Sequence, residues 1–175
     1  MPENEPSPVM MSTSPIPSVA TQGRLPDHFR ADAVALVESW TDGLRGDHPV
    51  VTSVERDAEV DRWYVRTRSE AKTVTTVWFT VRERTLGFES YFLPMPEDNV
   101  GAVYEYLLRA NARLYDMRFS IGPEDATYLS GVVPLQGLLA GGSAELDRLL
   151  GSVYAASEEC FPTAARIGFP ARFAS

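Results

Sequence analysis

Three consecutive runs of aromatic and β-branched residues constrain the fold of this chain more than any other feature of its sequence. The runs are residues 63–67, 74–81 and 86–93. Short charged segments separate them, a pattern typical of strands joined by hairpins. In the middle run Val77, Phe79 and Val81 fall on one face, because strand side chains alternate with period two. Trp78 falls on the other face with two threonines. We predict a β-meander with one face that packs on helices and another that is only partly polar.

Apolar residues recur at helical spacing before, between and after the predicted strands. The predicted helices are residues 27–44, 96–111 and 143–161. Pro96 suits a first helical turn because its missing amide hydrogen needs no partner there, and Ser143 is a favourable N-cap. Pro162 should kink or end the last helix. In the second helix, Leu107 and Leu108 belong to the stripe that we expect to face the core.

A short strand near Val51 and a second hairpin complete the predicted elements. The hairpin strands are residues 117–121 and 126–135. The order of elements predicts a single α+β domain in which an antiparallel sheet, made of the meander and the hairpin, packs with three helices.

The first residues of the chain differ in composition from the rest. Residues 1–25 are rich in Pro and Ser and hold few large apolar side chains, so their burial cannot offset the entropy cost of ordering them. We expect a disordered tail over 1–25, a folded domain over 26–169 and a short C-terminal tail over 170–175.

Composition and charge exclude several classes of function. The net charge of −8 repels phosphate backbones and anionic lipid, which disfavours nucleic-acid and membrane partners. No apolar run is long enough to span a membrane, and no secretory leader is recognisable. Cys160 is the only cysteine, which fits a reducing compartment. We expect a cytoplasmic protein.

The sequence holds no recognisable catalytic or metal-binding motif. His28 and His48 lack a second ligand at metal spacing, and Cys160 has no neighbouring base to lower its pKa. We therefore predict a protein that is not an enzyme, with no catalytic residues, no metal and no cofactor.

Glu89 is the only carboxylate within an aromatic run, and it shares a strand face with Tyr91. A charge there must stay hydrated or find a partner, since burying it unpaired is costly. Two interpretations are open: a cross-strand ion pair with Arg66 or Arg68 on a neighbouring strand, or contact with a ligand.

Tyr64, Trp78 and Tyr91 also allow two interpretations. They pack under the first or last helix, or they form a binding patch on the sheet. With Glu89, they are the candidate interaction surface.

Five segments together carry a resemblance to a known family. They are residues 86–99, 106–111, 128–131, 146–151 and 166–169. In order and spacing they resemble the YbjN family in its actinobacterial form, over residues 29–169. The resemblance implies a fold like that of type III secretion chaperones and a role in regulating sensory transduction. It carries no catalytic residues to this chain.

Two functional hypotheses follow. The first is a non-enzymatic cytoplasmic module, chaperone-like or regulatory, that binds an unknown protein or peptide partner. The second is a small-ligand sensor in which Trp78, Glu89 and Tyr91 line a pocket between the sheet and a helix. Because the second helix offers only one apolar stripe, we expect a monomer or a weak homodimer.

Overall fold

The computed structural model describes residues 28–46 and 48–174; the predicted disordered tail lies outside the described residues. The helices and strands, in chain order, are α1 (His28–Leu44), β1 (Val51–Arg56), β2 (Arg62–Ser69), β3 (Thr73–Val81), β4 (Thr85–Leu93), α2 (Val100–Ala110), β5 (Met117–Ile121), β6 (Thr127–Pro134) and α3 (Leu135–Gly168). The predicted α+β class and the predicted order of elements are confirmed.

The six strands form one antiparallel sheet in the order β1-β2-β3-β4-β6-β5. The first four strands follow chain order, as short hairpins require. The second hairpin then enters with β6 beside β4, which leaves β5 at the far edge.

The three helices pack on the same face of this sheet, which we call the covered face. Its side chains include Trp63, Val77, Phe79 and Phe88, all at most 1% exposed. Trp40 of α1 packs edge-on against Phe79, with ring centroids 5.2 Å apart. Burial of this apolar surface is the main contribution to the stability of the fold.

The second helix begins later than predicted, at Val100 instead of Pro96. Asn99 has a left-handed backbone, with φ of 50°, which an α-helix cannot contain. The amides of Glu97 and Asp98 instead donate to the carbonyl oxygen of Gly168, each at 3.0 Å. Residues 96–99 therefore belong to the loop between β4 and α2, which is hydrogen-bonded to the C-terminal end of α3.

The prediction that both Leu107 and Leu108 of α2 face the core was wrong for Leu108. Leu107 is 2% exposed, whereas Leu108 is 66% exposed. Consecutive helical residues point about 100° apart, and it is Val103, Leu107 and Ala110 that face the core.

The predicted start of the last helix at Ser143 follows a real break, because Gly142 just before it has a non-helical backbone with φ of 62° and ψ of −149°. The structure adds a helical segment that was not predicted, from Leu135 through Gly137 and Gly141, and α3 runs on past Pro162 to Gly168. Leu135 and Leu138 are fully buried, so core packing stabilises the first turns despite the glycines. Pro162 does not end the helix, because Ala164 and Ala165 after it are buried as well.

Candidate functional site

The face of the sheet opposite the helices is covered by no helix or strand of the described residues, and we call it the open face. Its side chains, assigned by strand alternation from the covered face, are Ser53, Glu55, Arg62, Tyr64, Arg66, Arg68, Val74, Thr76, Trp78, Thr80, Arg82, Glu89, Tyr91, Arg118, Ser120, Tyr128, Ser130 and Val132. All four residues of the candidate interaction surface lie on it.

A row of directly opposed residues crosses the open face. Tyr64 pairs with Trp78, Trp78 with Glu89, Glu89 with Ser130, and Ser130 with Arg118. The indole Nε1 of Trp78 donates a hydrogen bond to Glu89 Oε2 at 3.2 Å. Directly opposed side chains in adjacent antiparallel strands lie close enough to touch, so the row is a continuous strip of aromatic and polar groups.

A second aromatic cluster adjoins this row. Tyr91 and Tyr128 are directly opposed, and their rings meet edge to face at 5.5 Å. The Trp78 ring lies 6.4 Å from Tyr128, also edge to face. Sequence analysis gave no role to Tyr128; its place within an alternating strand was the signal that could have found it.

Both interpretations that put these aromatic residues beneath a helix were wrong. Tyr64, Trp78 and Tyr91 do not pack under the first or last helix, and Trp78, Glu89 and Tyr91 do not line a pocket between sheet and helix. The physical reason is strand parity: Phe79 and its alternate neighbours already fill the covered face, so Trp78 must point away from it.

The proposed ion pair of Glu89 with Arg66 or Arg68 was also wrong. Arg66 lies opposite Thr76, and Arg68 lies opposite Val74, both in a different part of the sheet from Glu89. The Glu89 carboxylate is held by the Trp78 indole.

Four arginines of the open face have guanidinium groups that form no hydrogen bond or ion pair within residues 28–46 and 48–174. They are Arg66, Arg68, Arg82 and Arg118. A fifth, Arg62, donates from Nε to the Thr80 hydroxyl at 3.0 Å. Sequence analysis attached no function to Arg82 or Arg118, because only the strand register brings them together.

Three of these arginines surround a shallow depression of about 200 Å³ on the open face. Its lining includes Arg62, Arg82 and Arg118 together with Trp78 and Glu89. The floor is partly Gly87, where an added Cβ would lie 3.3 Å from Arg82 Cζ. The glycine leaves room for the Arg82 guanidinium to lie against the strand.

Lys72 lies at one end of the sheet, where its side chain contacts β4 and α3. The ladder between β3 and β4 ends at the pair Val77 and Ser90. Beyond it, Lys72 Nζ donates to the carbonyl oxygen of Tyr91 at 2.6 Å and lies 5.5 Å from the centre of the Phe161 ring. Burial lowers the pKa of the Lys72 ammonium to about 8, because a low-dielectric environment disfavours the charged form.

A second, apolar cavity lies between α2 and β5 and measures about 190 Å³. We call it the α2–β5 cavity. Its lining includes Tyr104, Leu107 and Leu108 from the helix with Phe119 and Ile121 from the strand.

Among the described residues no group of three or more His, Cys, Asp or Glu side chains is placed to hold a metal ion. The Nδ1 atom of His48 accepts a hydrogen bond from the amide of Val51 at 3.0 Å, and burial raises the pKa of the Cys160 thiol. In the same part of the chain, no helix has the length and apolar character needed to cross a bilayer.

Comparison with known proteins identifies the family to which this chain belongs. The family model YbjN, described as "Putative bacterial sensory transduction regulator", matches residues 33–166. The chain therefore belongs to the YbjN family, and the family expected from the sequence is confirmed.

Its relatives include uncharacterized mycobacterial proteins. One from Mycobacterium leprae is 29% identical over 108 residues, which are 62% of this chain and 57% of that protein. Another from Mycobacterium tuberculosis is 30% identical over 100 residues, which are 57% of this chain and 53% of that protein. The match thus spans just over half the length of these relatives.

Among solved structures, the chain is similar to the type III secretion chaperone SycH of Yersinia pestis in complex with a stable fragment of YscM2. The match covers 71% of this chain and 96% of that chain, with 15% sequence identity and a TM-score of 0.48.

Proposed function

We propose that this chain is a non-enzymatic module, chaperone-like or regulatory, that binds a segment of a protein partner through its open face. The observation that carries the proposal is the aromatic strip of Tyr64, Trp78, Tyr91 and Tyr128 on a face that no described helix covers. Tyr91 is 41% exposed. Tyrosine and tryptophan are enriched at protein interfaces, where they supply most of the binding energy.

The chemistry of the face favours binding over catalysis. Glu89, its central carboxylate, already accepts a hydrogen bond from Trp78, and no histidine or cysteine lies on the face. A general base or nucleophile would need such a partner within reach of a substrate. We propose that the module acts in the cytoplasm, where its single, buried cysteine meets a reducing environment.

The test is a panning experiment against the immobilised chain with a displayed library of linear peptides. The selected peptides are then measured against Trp78→Ala, Tyr91→Ala and a control, Tyr115→Ala. Tyr115 is 98% exposed and lies in the connection before β5, outside the open face.

We expect loss of Trp78 or Tyr91 to weaken binding by about tenfold or more, the effect of removing an interface hot spot, and Tyr115→Ala to leave binding unchanged. Equal binding to all three variants would contradict the proposal, as would a panning that selects no peptide.

A small apolar ligand in the α2–β5 cavity is the second candidate function. The apolar lining from both α2 and β5 supports it. At about 190 Å³ the cavity is smaller than usual ligand pockets, which exceed about 300 Å³, so we place it second. Titration with benzene, read from methyl NMR signals of Leu107, Leu108 and Ile121, tests it: saturable shifts support a ligand site, and unchanged signals exclude this class of ligand.

We also propose that the chain is a monomer or a weak homodimer. The core-facing side of α2 is already buried within the protomer, and Glu105 pairs with Arg109 on the helix surface at 2.6 Å. Light scattering at micromolar concentration tests this; a stable mass of twice 19.3 kDa would contradict it.

A further inference from the structure

We infer that the segment bound by the open face is acidic and that its carboxylates pair with the arginines of that face. This inference rests on the proposed function and names the chemistry of its partner.

The first argument is the segregation of paired and unpaired arginines. Seven arginines that lie outside the open face form ion pairs with carboxylates. They are Arg30, Arg45, Arg56, Arg109, Arg113, Arg148 and Arg172. The four described guanidinium groups that form neither an ion pair nor a hydrogen bond, Arg66, Arg68, Arg82 and Arg118, all lie on the open face. Arg62 and Arg166 also lack a carboxylate partner and donate instead to the Thr80 hydroxyl and to the carbonyl oxygen of Pro162. Although the chain holds 24 acidic residues and 16 basic ones, the guanidinium groups left without any polar partner among the described residues are gathered on this face.

The second argument is the contrast between the local and the overall charge. Five arginines lie on the open face, whose strands carry two carboxylates, Glu55 and Glu89. Two more reach it from its edges: Asp57, which accepts a hydrogen bond from the Tyr64 hydroxyl at 3.1 Å, and Glu124, which lies near Tyr91. The face is therefore locally positive, although the chain as a whole carries −8. Glu89 is half-buried and bonded to Trp78, which limits its reach toward the arginines. Such a positive patch attracts an acidic segment. The acidic surface around the patch repels the segment elsewhere, so that binding is favoured at the patch.

The third argument is geometric. Arg66 and Arg68 lie two residues apart on β2 and are both exposed, so their positions repeat at about 7 Å along the strand. An extended peptide presents alternate side chains at the same spacing. Guanidinium groups bind carboxylates with two parallel hydrogen bonds. Acidic residues at alternate positions can therefore meet Arg66 and Arg68, while the next position that faces the sheet reaches Tyr64 and Trp78, which are directly opposed.

A nucleic acid is the other polyanion that arginine and aromatic side chains can bind. It carries a charge at every phosphate and continues beyond a small patch, where it would meet the acidic remainder of this protein. The observations favour an acidic peptide segment.

The test uses defined probes with the full chain. A fluorescent peptide of alternating Glu and Tyr is compared with matched peptides in which Gln or Lys replaces Glu, and with single-stranded oligo-dT. Each is titrated into the wild type, into Arg66→Gln/Arg68→Gln and into a control, Arg109→Gln/Arg113→Gln. The control removes the same charge from exposed positions on and just after α2, outside the open face.

We expect the Glu peptide to bind most tightly, with an affinity that falls as salt is added because the charges become screened. Arg66→Gln/Arg68→Gln should weaken it by about tenfold, the loss of two charge-assisted contacts, and the control pair should leave it unchanged. Circular dichroism and thermal melts verify that both double variants fold like the wild type.

Three outcomes would overturn the inference: equal binding of the Gln peptide, tighter binding of the Lys peptide or oligo-dT, or an equal loss in both double variants. Preferential selection of neutral or basic library peptides that still depend on Trp78 would leave the proposed function standing and refute the acidic partner alone. Loss of Trp78 dependence for every peptide would refute the proposed function itself.

Discussion

The two faces of one sheet are built from the same strands and have opposite chemistry. On the covered face Phe79 and its alternate neighbours in β3 are buried beneath helices. On the open face Trp78, one residue earlier, bonds to Glu89 and lies among unneutralised arginines. A shift of one residue along a strand therefore separates positions that stabilise the fold from positions free to bind a partner.

The sharpest way to test this comparison is to truncate two adjacent residues of β3. Phe79→Ala should cost about 3–5 kcal/mol of unfolding free energy, the range for a large buried aromatic. Trp78→Ala should cost less, about 1–2 kcal/mol, because its ring is only partly buried and one hydrogen bond is lost. Urea denaturation measures both. Similar losses for the two variants would mean that the open face is also a core.

A second adjacent pair extends the comparison to α2. Leu107→Ala should cost about 2–5 kcal/mol as a buried large-to-small change. Leu108→Ala, at an exposed position, should change stability by no more than about 0.5 kcal/mol. If both variants lose stability to the same extent, Leu108 is covered in solution by a second copy or by another segment.

Gly131 tests how tightly the covered face is packed. A Cβ at this position would lie 2.1 Å from Phe88 Cζ and 2.3 Å from the carbonyl oxygen of Asp116. Gly131→Ala should therefore destabilise the protein by about 1–3 kcal/mol through overpacking. Gly151→Ala, with no atom near its added Cβ, is the control in α3 and should not destabilise it. A neutral Gly131→Ala would show that Phe88 has room to move.

Another prediction concerns Lys72, which lies at the border of the two faces. With a folded-state pKa of about 8 against the usual 10.5, the folded chain releases this proton before the unfolded chain does. The contribution of Lys72 to stability should therefore rise between pH 8 and 10.5 and be smallest below pH 8.

Lys72 is the only lysine, so its NMR titration is free of overlap from other lysines. A midpoint near 10.5 would mean that the Tyr91 carbonyl and the surrounding rings hold the charged ammonium in place against the effect of burial.

The sheet was predictable because strands and hairpins are encoded locally. Alternation in residues 74–81 fixes which of Val77 and Trp78 shares a face with Phe79, and the structure confirms that division. The start of α2 was not predictable, because it depends on amides that bond to Gly168, about seventy residues away in sequence.

The open face could be predicted only in part. Tyr64, Trp78, Glu89 and Tyr91 were identified from one aromatic region, but alternation alone does not say which face the helices will cover. Arg118 and Tyr128 come from the second hairpin, and only the pairing of β4 with β6 brings them beside Glu89 and Tyr91. Such long-range register has no local signature in the sequence.

The three tryptophans offer the most direct test of the division between the two faces. Trp40 and Trp63 are buried on the covered side, whereas Trp78 lies on the open face. Their indole N–H signals can be followed in one ¹⁵N-labelled sample as the Glu–Tyr peptide is added. We expect the Trp78 signal to move to saturation while those of Trp40 and Trp63 stay in place. Saturable binding that moves Trp40 or Trp63 and leaves Trp78 unchanged would contradict the assignment of binding to the open face.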